Sequence, residues 1–160
     1  MKRTSLVILL LLVACSIAFC QVWVQASIEH KFNKVAGLSV SNEIGYNINP
    51  QSAAQNLPVI SPSIDYTYYS NGESTEHLLF KCATASWFFS SNGVIPYVSI
   101  TGAHLTTFGT KNENAYGYSG QLGIAFDLTK NDQFFFQYRY FKYETLLQGQ
   151  LTQFGIMHTF

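Results

Sequence analysis

Gln153-Phe154-Gly155-Ile156-Met157-His158-Thr159-Phe160 is the stretch on which the reading turns. Rings or apolar groups stand at every second position (Phe154, Ile156, His158, Phe160), a glycine lies among them, and the last residue is a phenylalanine. Alternation at period two marks a strand with one face in an apolar medium and the other in a polar one. A free edge ending in an exposed aromatic invites aggregation in water. The pattern makes sense if this strand closes a barrel and Phe160 sits at a membrane interface.

The same alternation runs back through the chain. It predicts eight strands near residues 22–32, 36–47, 58–69, 77–89, 94–108, 116–128, 133–145 and 149–160. Their lengths suit a tilted crossing of a bilayer, which needs about 9–11 residues. Asn, Gly, Ser and Asp dominate the connections, as at Ser90-Ser91-Asn92-Gly93 and Thr129-Lys130-Asn131-Asp132, in keeping with turn chemistry. No helical pattern separates consecutive strands, which argues against a parallel βαβ sheet. The predicted fold is all-β: an eight-stranded antiparallel transmembrane up-and-down barrel. Counting back from Phe160 puts the two tight turns just quoted on the side of the C-terminus, and Gly109–Asn114 and Ser70–Glu76 on the other. The connection Asn49–Asn56 is longer than that parity expects.

Composition agrees. Charged residues make up 11% of the chain and aromatic residues 16%, against about 25% charged in ordinary soluble domains. A surface so poor in charge suits hydrocarbon better than water. The formal net charge is zero, which gives no electrostatic basis for nucleic-acid binding. At the other end, Lys2 and Arg3 precede an apolar run from Leu6 to Phe19, the pattern of a secretory signal peptide. The run is short of the about 20 residues a transmembrane helix requires. Residues 1–20 are therefore read as a leader and 21–160 as the barrel, with cleavage after Cys20 preferred to acylation at Cys15, where Leu12-Val13-Ala14-Cys15 resembles a lipoprotein box. Cys82 then remains alone, without an intrachain disulfide partner.

Each strand separates by face. Gln133, Phe135, Gln137, Arg139 and Phe141 oppose Phe134, Phe136, Tyr138 and Tyr140, and arginine on a mid-bilayer lipid face would cost about 2–4 kcal/mol. Arg139 is thus expected inside. Ser61, Ser63, Asp65 and Thr67 oppose Ile60, Ile64, Tyr66 and Tyr68; Gln25, Ser27 and Glu29, then Ser39, Ser41 and Glu43, mark the polar sides of the first two strands. Strand five is mixed, with Ile95, Tyr97 and Leu105 sharing a side with Ser99 and Thr101. The inward charges are Glu29, Glu43, Asp65, Lys81 and Arg139. Charges buried together must pair, so the expectation is a structural network centred on Arg139 in a lumen that side chains fill. Trp87-Phe88-Phe89, Tyr66-Thr67-Tyr68-Tyr69 and Tyr138-Arg139-Tyr140-Phe141 read as interfacial girdles, with Trp87 and Phe88 on the C-terminal side.

Catalytic and metal signatures are weak. His30, His77, His104 and His158 lack metal-ligand spacing, and the chain has neither CxxC nor HExxH. His104-Leu105-Thr106 resembles the His-x-Ser pair of outer-membrane lipid A deacylases, with threonine in the nucleophile's place and no evident acid to orient the histidine. The expectation is no cofactor, no metal and no catalysis. A lipid A-modifying enzyme stands as the first alternative. A soluble secreted ligand-binding barrel, with the apolar faces turned inward, stands as the second.

Several segments resemble the OmpA-like and opacity-type family of bacterial outer-membrane barrels. Gly120-Gln121-Leu122-Gly123-Ile124-Ala125-Phe126-Asp127-Leu128-Thr129 with Asn131 is similar to its glycine-bearing strand and turn, Gln137-Tyr138-Arg139-Tyr140 to its next strand, and Gly93 to Ser99 to the entry of a middle strand. Gln153, Gly155, His158 and Phe160 resemble the C-terminal signal by which such barrels are recognised for assembly. The resemblance implies a Gram-negative outer-membrane surface protein with a structural or host- and envelope-interaction role. It implies outer-membrane lipid, lipopolysaccharide and the assembly machinery as partners, and it leaves any extracellular partner unidentified.

Overall fold

A computed structural model describes residues 21–31, 38–70, 74–89, 93–108, 113–144 and 147–160. Residues 1–20, expected to be a leader, lie with Cys15 and Cys20 outside these residues, as do parts of several connections. The strands are β1 (Gln21–Lys31), β2 (Leu38–Asn47), β3 (Val59–Ser70), β4 (Ser74–Phe88), β5 (Val94–Phe108), β6 (Glu113–Asp127), β7 (Asp132–Tyr143) and β8 (Leu147–Thr159). Each pairs antiparallel with the next, and β8 returns to β1 to close the barrel. The closing seam runs from Trp23 opposite Thr159 to Lys31 opposite Leu151, and the Phe160 N–H donates to the Val22 carbonyl at 2.9 Å. Closure pairs the edge strands that would otherwise be exposed. It also gives β1 and β8 ladder partners on both sides, as hydrocarbon demands of spanning strands.

Polarity is reversed relative to a soluble protein. Ile44, Ile100, Leu122, Phe136, Phe154 and Ile156 are exposed, and Phe160 is 71% exposed. Most buried residues are polar, among them Ser41, Asp65, Thr101, Ser119 and Gln153. A soluble barrel with apolar faces inward is thereby excluded. The even-numbered residues of β6 and β7 face out and the odd-numbered ones in, so Arg139 points inward as expected. The mixed face of β5 is also the inner one, with Ser99, Thr101, Ala103 and Leu105 buried.

Two departures from simple alternation have local causes. Proline cannot donate to a ladder and is tolerated in strands at irregularities. Pro62 lies where the β3–β4 register shifts, between Ser61 and Ser63. On the facing strand Cys82 is an extra residue: Lys81 pairs with Ala103 and Ala83 with Gly102. This bulge reverses the parity of β4. Lys81 faces the lumen before it, and Ser86 and Phe88 face the lumen after it. Phe88, expected in a girdle, instead leans on Tyr97 inside the barrel with ring centroids 5.8 Å apart. Phe141 is likewise buried inside, because it shares the parity of Arg139.

The second departure is the long connection after β2. Residues Pro50–Gln55 wind into a 3-10 turn. Asn49 ties it down: its side-chain amide donates to Ser52 Oγ at 2.8 Å and the Pro58 carbonyl at 3.0 Å, while its Oδ1 accepts from the Ile60 N–H at 2.7 Å. Asn56 ends the turn in the left-handed region at φ 56°, which asparagine tolerates better than most residues. The extra length is a hydrogen-bonded turn rather than a slack loop.

Candidate functional site

The five charges read from the sequence meet in the middle of the lumen. β2, β3 and β4 place Glu43, Asp65 and Lys81 side by side. Lys81 Nζ lies 2.5 Å from Glu43 Oε2 and 3.4 Å from Asp65 Oδ2. From the opposite wall β7 sends in Arg139, whose Nη1 lies 3.7 Å from Asp65 Oδ2 and 3.9 Å from Glu29 Oε1. Asp65 therefore bridges both cations. Hydroxyls complete the carboxylates: Ser41 donates to Asp65 and Ser63 to Glu43, both at 2.5 Å, Thr67 to Asp65 at 3.2 Å, and Ser39 to Glu29 at 3.3 Å. Such pairing and hydrogen bonding is what lets charges persist away from water.

Sequence reasoning missed the amide half of this network. Gln153 is 0% exposed; it accepts from Arg139 Nη2 at 3.1 Å and from Gln137, and donates to Ser27 Oγ at 2.6 Å. Gln137 accepts in turn from the Tyr97 hydroxyl at 2.6 Å. Gln121, with its amide oxygen turned to the guanidinium, accepts from Arg139 Nε at 2.9 Å and Nη2 at 3.2 Å. The signal was available: Gln121, Gln137 and Gln153 all share the inward parity of their strands.

The lumen is divided along its length. On the side of the termini a cavity of about 110 Å³ is lined by Trp23, Asn47, Ser86, Tyr97, Gln133 and Arg139 among others. That is room for several waters, each needing about 10–15 Å³. On the other side a cavity of about 30 Å³ touches Glu29, Asp65 and Arg139 again, but also Leu79, Leu105, Phe141, Tyr143 and Leu151. Those five, with Ala103 and Ala115, form one buried apolar cluster. Arg139 borders both cavities and acts as the septum between them.

The closing strand carries the four residues of the assembly pattern. Gln153 belongs to the lumenal network. Gly155 faces inward where a Cβ would press on the Ala26 carbonyl and lie 2.7 Å from Ser27 Cβ, so close approach of β1 requires glycine. His158 Nδ1 lies 2.7 Å from Asp132 Oδ1, its partner across the β7–β8 ladder at the end where β7 begins, and its ring meets Phe160 edge-on at 4.6 Å. Thr129 donates to the other oxygen of Asp132 at 2.5 Å. This Thr129 hydrogen bond, followed by that from His158, holds the Asp132 carboxyl below its ordinary value.

His104 faces outward, its ring 4.7 Å from that of Tyr116. The Thr106 hydroxyl donates its proton to Asn114 Oδ1 at 2.8 Å. Among the described residues no group of three His, Cys, Asp or Glu side chains is placed to hold a metal. Cys82 is exposed on the outer face.

Solved structures share this architecture. The chain has the fold of an eight-stranded transmembrane barrel. Neisserial surface protein A is similar over 88% of this chain and 97% of its own, at 18% identity and a TM-score of 0.57. A de novo designed transmembrane β-barrel matches over 88% and 95%, at 15% identity and a TM-score of 0.60. The outer membrane enzyme PagL matches over 86% and 97%, at 11% identity and a TM-score of 0.58. No protein-family model and no curated protein matches the sequence. A designed barrel fits as well as natural ones, so the likeness is one of architecture, which many functions share.

Proposed function

We propose that this protein is a surface protein of the bacterial outer membrane, of the OmpA-like or opacity type, with a structural or interactive role in the envelope and no catalysis. The observation that carries the reading is the reversed polarity: an apolar exterior around a paired, hydrogen-bonded interior of Glu29, Glu43, Asp65, Lys81 and Arg139. An interior so tightly paired supports a closed lumen better than a conducting one. Outer-membrane barrels keep their C-terminus on the periplasmic side, so the apolar cluster around Leu105 and Phe141 lies toward the cell exterior. Lipid and lipopolysaccharide then surround the barrel, and the β8 end is the segment offered to the assembly machinery.

The test is extraction and gel migration. Envelopes washed with salt and carbonate should retain the protein, and detergent should release a form that migrates differently before and after boiling. Release without detergent, or migration indifferent to heating, refutes the membrane seat. The rival reading, a lipid-modifying enzyme, is supported only by the His104-Leu105-Thr106 pattern. Replacing His104 with alanine should leave the acylation of envelope lipids unchanged; a changed lipid profile would give the protein to the enzyme class.

A further inference from the structure

The outer face of a membrane barrel is expected to be apolar at mid-height, and one carboxamide there breaks that rule. Asn42 stands mid-way along β2, exposed on the outer face between Val40 and Ile44. Two outward amides nearer the strand ends are matched: Asn114 accepts from Thr106 at 2.8 Å, and Gln148 donates to the Tyr140 hydroxyl at 3.0 Å. Asn42 has no hydrogen-bond partner among the described residues. In hydrocarbon an unmatched amide costs at least about 1–3 kcal/mol.

The surface around Asn42 is asymmetric. Across β1 the neighbour is Ala26, and there a groove of about 440 Å³ opens between Val24, Ala26, Ile44, Ile156 and His158. Across β3 the neighbour is Tyr66, and Tyr66 and Ile64 project as a ridge. We propose that this face binds a second copy of the chain within the membrane, with Asn42 at the two-fold axis. An axis along the membrane normal exchanges the two flanks, so the ridge of each copy meets the groove of the other. An amide carries both donor and acceptor, so two Asn42 side chains satisfy each other across the axis. A lipid chain in the groove would leave Asn42 unmatched.

The proposal rests on the membrane seat argued above, and heat-dependent migration reports that seat separately. The experiment uses the exported chain carrying Cys82→Ser and Asn42→Cys, reconstituted in phosphatidylcholine vesicles and oxidised. A cross-linked dimer should form, while Leu122→Cys, on the far side of the barrel, should give none. Asn42→Leu in the otherwise unaltered chain should weaken self-association in vesicles by about three- to tenfold with heat-dependent migration intact. Equal cross-linking at positions 42 and 122, unchanged association of Asn42→Leu, or a lipid or other protein found in the groove instead of a second copy overturns the proposal. Loss of heat-dependent migration in the unaltered chain would instead overturn the membrane seat, and the dimer with it.

Discussion

Replacing Arg139 by methionine tests whether the lumenal network is a dry, coupled unit. Methionine keeps much of the volume and removes the charge and the donors. The loss includes two ion pairs at 3.7 and 3.9 Å, each worth about 4 kcal/mol at an effective dielectric near 20. Against that, the guanidinium no longer pays its desolvation, which offsets much of the sum. Breaking one partner out of a buried pair costs about 3–5 kcal/mol. The cavity of about 110 Å³ beside Arg139 lets water reach Gln121 and Gln153, which argues for the lower end of that range. Glu29 loses its ion pair and keeps the Ser39 hydroxyl, whereas Asp65 keeps Lys81, Ser41 and Thr67. Adding Glu29→Gln to the Arg139→Met chain should therefore recover stability. The assay is urea unfolding in lipid vesicles, followed by the fluorescence of Trp23 and Trp87. A loss below about 1 kcal/mol for Arg139→Met, the size of an exposed pair, would mean that the lumen screens charge like bulk water and would refute the reasoning.

Three further outcomes are expected. Gly45→Val should destabilise the barrel by about 1–3 kcal/mol, since a Cβ there would lie 2.5 Å from Trp23 Cζ2 and 2.7 Å from Ser63 Cβ; adding Trp23→Leu should relieve part of it in the same unfolding assay. Asp132 sits outside the spanning stretch with its carboxyl held below the ordinary 3.8, so its contribution is present above 3.8 and lost as pH falls through the lower folded value. Asp132→Asn should remove that portion of the acid sensitivity, read as the gel-shift temperature against pH. Cys82 should react in intact vesicles with a membrane-dissolved thiol reagent and resist a water-soluble maleimide, because it faces outward from the middle of β4.

The barrel was legible because lipid-facing and lumen-facing residues alternate with a fixed period, and because a mid-membrane arginine on the lipid side is too costly to be read any other way. Arg139 and Asp65 could be placed inside on those grounds alone. Phe88 could not, since one extra residue at Cys82 inverts every later side chain of β4, and nothing in the composition of that strand announces the insertion. The apolar cluster of Leu79, Leu105, Phe141, Tyr143 and Leu151 was hidden for a different reason. Alternation distinguishes lipid from lumen, but an apolar residue inside a lumen obeys the same period as a polar one. Geometry was needed, too, to join Gln153 to Arg139, because their contact spans two neighbouring strands. The 3-10 turn at Pro50–Gln55 shows where loop length misleads: a segment too long for a tight turn can still be compact.

The lumen's two halves differ in kind, with water-accommodating amides toward the chain termini and oily side chains toward the opposite mouth. Anyone wishing to turn this barrel into a conduit faces two obstacles that fail under different treatments. Removing charge loosens the ionic barrier but leaves the greasy stopper, and carving away Phe141 or Leu105 leaves the ionic barrier standing. If the lumen is closed as proposed, leakage of small solutes should require two unrelated lesions at once.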